Sequence, residues 1–179
     1  MPIDVTPATT RLHLPVTVVI ERREIVRSFW TAPSWYLSGV LVGDGLASMQ
    51  SGTVVRESDE RAERAWSGFK VTLYRDACER YWHALIGDKP KVYVVCRETS
   101  AGDDESGIAD IEPIVVTIDY DEATAYAETD ELVLSREIPG ELYRHMEAFV
   151  LQHYKPKPFK KRKRKVWADG EPAHRRLDA

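Results

Sequence analysis

Residues 12–23 read LHLPVTVVIERR, with Leu14, Val16, Val18 and Ile20 at every second position. A side-chain period of two puts all four on one side of an extended chain, so this stretch predicts a strand with one face against a core. Pro15 has no N–H to give to a ladder and fits near the start of such a strand or on an edge. Working outward, the same character returns in four further windows. Trp35–Gly43 reads WYLSGVLVG and stops at Gly43, Asp44 and Gly45, where a hairpin turn is expected. Phe69, Val71 and Leu73 alternate with Lys70, Thr72 and Tyr74. Lys91–Arg97, KVYVVCR, follows the turn residues Asp88 and Pro90, and Pro113–Ile118 reads PIVVTI.

Between two of these windows lies RDACERYWHALI, Arg75–Ile86, which satisfies both periods. Ala77, Tyr81 and Leu85 are four apart as on a helix, whereas Tyr81, His83 and Leu85 alternate as on a strand. The reading leans to a turn at Asp76–Glu79 followed by a strand, which makes 68–97 a three-stranded meander. Asp121–Thr129 predicts a short helix with acids at its positive end. The strongest helix signal is Pro139–Tyr154: Pro139 suits the first position, and Leu142, Met146, Phe149, Val150 and His153 form one stripe. His153, in the last turn, is read as a cation matching the negative helix end. The expected fold is therefore α+β: an antiparallel, largely meander sheet, open or barrel-like, with a C-terminal amphipathic helix packed on it. Residues 12–154 form one domain, after a flexible N-terminus at 1–11 and before a basic, disordered tail at 155–179. The stretch AGDDESGIAD at 101–110 has too little apolar area to order itself and is expected to be a mobile loop.

Composition narrows the function classes. The chain has 179 residues, 43% hydrophobic, and a net charge of -4. Its opening residues carry no charged start followed by an apolar run, and no stretch is long and apolar enough to enter a bilayer, so a cytoplasmic protein without membrane insertion is expected. Cys78 and Cys96, the only cysteines, lie inside patterned segments and read as two buried thiols. The net charge conceals an asymmetry. From Lys155 onward ten basic residues face three acidic ones, +7, which leaves -11 on residues 1–154.

Catalytic and cofactor signatures are missing from the sequence. It has no G-x-x-x-x-G-K-[ST], no G-x-G-x-x-G and no G-x-S-x-G. Its five histidines show no H-x-x-x-H, and its cysteines form no second pair, so neither a metal nor a cofactor is expected. Asp119, Asp121 and Glu122 cluster where a helix begins and need no acid–base role to explain them. A non-enzymatic binding protein fits this inventory better than an enzyme.

Candidate binding residues are basic and aromatic. The tail KPKPFKKRKRK, 155–165, sets eight cations around Phe159, and two prolines keep it extended. Phe159, Lys160, Lys161, Arg162, Lys163, Arg164, Lys165 and Trp167 are the expected contacts to an acidic protein partner. Nucleic acid ranks lower, because the acidic body repels phosphate. Of the tryptophans, Trp35 and Trp82 are assigned to the core, while Trp30 and Trp66 stay open. Arg22, Arg23 and Trp30 form a second candidate surface.

With those segments in view, the chain resembles the bacterial domain-of-unknown-function family numbered 3305, DUF3305. The matching features are VTVVIERREIVRSFWTAPSW with Arg22, Arg23, Trp30 and Trp35; FKVTLYRDACERYWHAL leading into KVYVVCR; and IPGELYRHMEAFVLQHY followed by KPFKKRKRK. The chain departs from the family in its GDDESG insert and in the extension after Lys165. The resemblance implies an accessory role near formate dehydrogenase and molybdenum-cofactor functions, with a formate dehydrogenase subunit or maturation factor as the partner. Its alternative implication is a protein that handles molybdopterin or nucleotides, in molybdopterin-guanine dinucleotide biosynthesis. For that role a pocket between sheet and helix is expected to use Arg22, Arg23 or His83. Nucleic-acid binding through the tail is the third expectation.

Overall fold

The computed structural model describes residues 10–58, 61–87, 89–99 and 110–156. In chain order these give β1 (Arg11–Arg27), β2 (Trp30–Val42), β3 (Thr53–Ser58), β4 (Arg61–Tyr74), α1 (Cys78–Ile86), β5 (Lys91–Thr99), β6 (Asp110–Thr117), α2 (Tyr120–Ala127), β7 (Leu132–Glu137) and α3 (Gly140–His153). The strands divide into two antiparallel sheets, ordered β2-β1-β4-β3 and β6-β5-β7. The antiparallel α+β reading stands. The sheets stay open and do not close into a barrel.

The strand order also departs from a plain meander. The turn expected at Gly43 is not a hairpin, because β2 and β3 are the two outer strands of their sheet and the connection between them passes β1 and β4. Its start is fixed by the Gly43 N–H, which donates to the Pro15 carbonyl over 2.8 Å. In the second sheet β7 joins the free side of β5 after the chain has passed through α2.

β1 keeps its alternation because the irregularities of its ladders sit on its neighbours. Val16 and Val18 pair with Phe69 and Trp66, leaving one extra residue on β4, where Gly68 takes φ +84. Val19 and Ile20 pair with Gly39 and Leu37, leaving Ser38 as the extra residue on β2. Leu14, Val16, Val18 and Ile20 are all buried. They join one contiguous core with Val71 and Leu73 of β4, Val92, Val94 and Cys96 of β5, and the buried stripe of α3, Leu142, Met146, Phe149 and Val150. Burying each such side chain stabilises the fold by about 1.5–3 kcal/mol, an upper bound set by the compactness of the unfolded chain.

The strand expected over 80–86 is a helix. A single 3-10 turn at Arg75–Ala77 leads into α1, which packs against α3 and buries Cys78 and Tyr81, while His83 faces solvent. The three-stranded meander over 68–97 is thereby corrected: β4 and β5 belong to different sheets. The two predicted helices are present. α2 begins at Tyr120 behind Asp119, whose carboxylate accepts from the Asp121 N–H at 3.1 Å. α3 begins at Gly140, with Pro139 just outside in extended geometry. The His153 ring meets the Phe149 ring at a tilt of 58°, with centroids 4.5 Å apart. Both cysteines are free and buried, as expected. Apart from Asp110, which opens β6, the loop expected at 101–110 lies outside the described residues, as does nearly all of the tail. No described helix is long and apolar enough to cross a membrane.

Candidate functional site

β1 runs further than the strand beside it. Its ladder to β4 ends at Arg23 and Arg61, whereas its ladder to β2 continues through Glu24 and Pro33, Ile25 and Ala32, and Val26 and Thr31 to Arg27 and Trp30. Four residue pairs therefore project as a two-stranded arm, about 14 Å at the usual rise of a strand. Ser28 and Phe29 form the two-residue turn at its tip, and Ser28 adopts the positive φ, +28, that such turns require. At the tip Phe29 is 100% exposed, Val26 77% and Trp30 58%. By the ladder register Val26 and Trp30 fall on opposite faces of the arm, with Phe29 at its end, and all three lie away from the core. The arm and its root, residues 22–35, carry Arg22, Arg23 and Arg27 against Glu24, so a basic, aromatic finger extends from an acidic body.

At the root of the arm the adjacent arginines serve opposite faces. Arg23 turns to the outer face, where its Nη2 donates to Glu21 Oε2 over 2.7 Å and its guanidinium lies 4.6 Å from the centre of the Tyr36 ring. The hydrogen bond from Arg23 holds the Glu21 carboxyl below the ordinary carboxylate range, against the opposing effect of burial. Arg61 adds a second cation 3.7 Å from Glu21. Arg22 turns the other way, following Ile20, into a recess of about 60 Å³ walled by Trp35, Trp66, Ala62, Glu57 and Asp110. Arg22 and Trp35 are direct cross-strand partners. Arg22 Nε and Trp35 Nε1 are both out of solvent, and neither has an acceptor among the described residues.

A wider, open cleft of about 470 Å³ lies between α1 and α2, lined by His83, Lys89, Lys91, Tyr93 and Tyr120. The rings of Tyr93 and Tyr120 meet edge to face at 6.0 Å. Arg80 on the same wall is committed to structure: its Nε and Nη2 both donate to Asp119 Oδ2, at 2.9 and 2.6 Å. Among the described residues no cluster of three metal-ligating side chains occurs.

The model of the family described as "Protein of unknown function (DUF3305)" matches residues 15–163. The chain belongs to that family. Neither a curated protein nor a solved structure matches it. The DUF3305 match spans the arm, the recess and the α1–α2 cleft together. Of the residues singled out from sequence, Trp30 lies at the tip, Arg22 and Arg23 at the root, and His83 on α1 in the cleft, so the pocket expected to use Arg22, Arg23 or His83 does not bring the three together. Phe159, Lys160, Lys161, Arg162, Lys163, Arg164, Lys165 and Trp167 lie outside the described residues. Trp66, left open from sequence, is buried in the core, and Trp35 and Trp82 pack partly buried against it. Sequence reasoning missed Phe29 and Val26. Their signal was present in IVRSFWT, where the apolar residues of a strand pattern run straight across a turn.

Proposed function

We propose that this chain is a non-enzymatic binding module that takes an acidic protein partner through the Val26–Trp30 arm and the basic tail. One observation carries the reading: a fully exposed Phe29 at the end of a two-stranded projection, between Val26 and Trp30 and beside Arg27. Aromatic and Arg side chains are the types that dominate binding energy in protein interfaces. The tail has the same chemistry, with Phe159 among eight cations, and two linked contacts raise overall avidity beyond either alone. A formate dehydrogenase subunit or its maturation factor, the partner implied by the family resemblance, is the first to try.

The test is co-purification from the native host, followed by binding of the identified, purified partner to the intact chain, to a Phe29→Ser, Trp30→Ser variant and to a chain ending at residue 154. Both altered chains are expected to keep the fold and to lose at least tenfold in affinity. Undiminished binding by both overturns the proposal. Retention of the intact chain on DNA at low salt, with affinity falling steeply as salt rises, favours nucleic acid instead.

The α1–α2 cleft supports a second reading, that the protein handles molybdopterin or a nucleotide, because two lysines and a tyrosine pair line it. A thermal-shift screen checks this reading: a ligand at a hundred times its dissociation constant adds about 2.7 kcal/mol to stability.

A further inference from the structure

We infer that the recess beneath the arm is a seat for an uncharged carbonyl oxygen, supplied by an amide group of the docked polypeptide. This rests on reading the arm as the docking element, and it names the chemistry recognised at the root. Arg22 Nε and Trp35 Nε1 are two N–H donors on directly paired residues, both removed from solvent and both without an acceptor among the described residues. A buried donor left unpaired costs more than an ordinary hydrogen bond gains, so a ligand that satisfies two of them at once is strongly selected. A carbonyl oxygen has two lone pairs and no proton of its own, which matches two N–H donors carried by directly paired residues.

Charge decides between a neutral and an anionic acceptor. The guanidinium of Arg22 has Glu24 at 3.7 Å, and that of Arg64 is bonded to Asp110. Glu57 joins Asp110 as the second carboxylate of the wall, and Glu24 stands outside it. Two cations thus already face three anions. An incoming carboxylate adds a fourth negative charge in a confined space, whereas an amide adds none. The space of about 60 Å³ and the indoles of Trp35 and Trp66 suit a small planar group. Val26, near the tip, is four residues along β1 from Arg22 and on the same face, about 14 Å, a span that a four-residue extended segment covers.

The experiment follows the Trp35 Nε1–H and Arg22 Nε–H cross-peaks of the full ¹⁵N-labelled chain during titration with N-methylacetamide, and separately with sodium acetate at matched ionic strength. Both resonances are expected to move together and saturate with the amide, and to drift without saturating in acetate. Arg22→Lys keeps the charge and removes the Nε–H, and is expected to weaken the amide response of Trp35 about tenfold. Saturation by acetate in preference to the amide makes the recess an anion site and overturns the inference. So does the absence of saturation by either probe together with a persistent water-to-indole NOE, which makes it a water site. The titration needs no partner, so its failure while the Phe29→Ser, Trp30→Ser chain still loses its partner sinks the recess alone; the opposite pair of outcomes sinks the arm alone.

Discussion

Glu21 and Arg23 stand two residues apart on the outer face of β1 and are joined by a 2.7 Å hydrogen bond that keeps Glu21 ionised. The folded carboxyl lies below its ordinary value of 4.5, so its contribution to stability is fully present above that pH and disappears as the pH falls through the lower, folded value. The urea midpoint of the native chain is expected to fall on the acid side of pH 4.5. Glu21→Gln should show a shallower acid limb, and identical limbs in the two chains would remove Glu21 from the account.

Asp119 has two tasks at the start of α2, accepting from the Asp121 N–H and from Arg80. Loss of a cap costs about 1 kcal/mol and loss of a hydrogen bond to a charged group about 1.5–3 kcal/mol. Asp119→Ala is therefore expected to destabilise by about 2–4 kcal/mol. Asp119→Asn, which keeps the capping oxygen, should fall between it and the native chain, as read by urea midpoints at pH 7.

The stripe of α3 gives a paired prediction. Leu142 is 0% exposed and Leu151 68% exposed on the same helix. Leu142→Ala should cost about 3 kcal/mol through lost burial and the cavity left behind, whereas Leu151→Ala should stay within about 0.5 kcal/mol. Equal effects would mean that α3 does not pack as described.

Burial pushes the Cys96 thiol up to about 12 and the Cys78 thiol upward as well. At pH 8 a thiol of that acidity is ionised in roughly one molecule in ten thousand, and the thiolate is the species that reacts. Native protein is expected to be inert to a disulfide exchange reagent that titrates two thiols after denaturation. Rapid modification of either cysteine in the native state would contradict the burial.

Phe29→Ser and Trp30→Ser, singly or together, are expected to change the thermal midpoint hardly at all, because exposed side chains at a tip remove no core contact. A cooperative loss of structure in the double variant would show that the arm supports the fold, and would remove the case for a contact surface.

How far the residues announce this fold depends on whether burial is written into their spacing. β1 was legible because its alternation is unbroken, and it is unbroken because Gly68 and Ser38 absorb the irregularities on neighbouring strands. α3 was legible for the same reason at helical spacing. α1 was not: in a nine-residue element that buries only Cys78 and Tyr81, the two periods overlap, and packing against α3 decides between them. β3 was invisible because it is an outer strand with Val54 and Val55 both exposed, so no alternation marks it. β7, with only Leu134 buried, was missed for want of length. At the site, the every-second-residue run that places Val18 and Ile20 inward extends to Arg22, so its inward direction was readable. Its partner was not. The pairing of Arg22 with Trp35 depends on the irregularity at Ser38, which shifts the register and which no local pattern reveals.

β1 begins beside β4, runs through the interior of its sheet and leaves it as one leg of the arm. A pull exerted at Phe29 along that strand consequently loads the ladders on both of its sides in shear, many bonds at once, where a pull on an outer strand would peel them apart singly. Whatever grips the tip gains a mechanically stiff handle on the whole sheet.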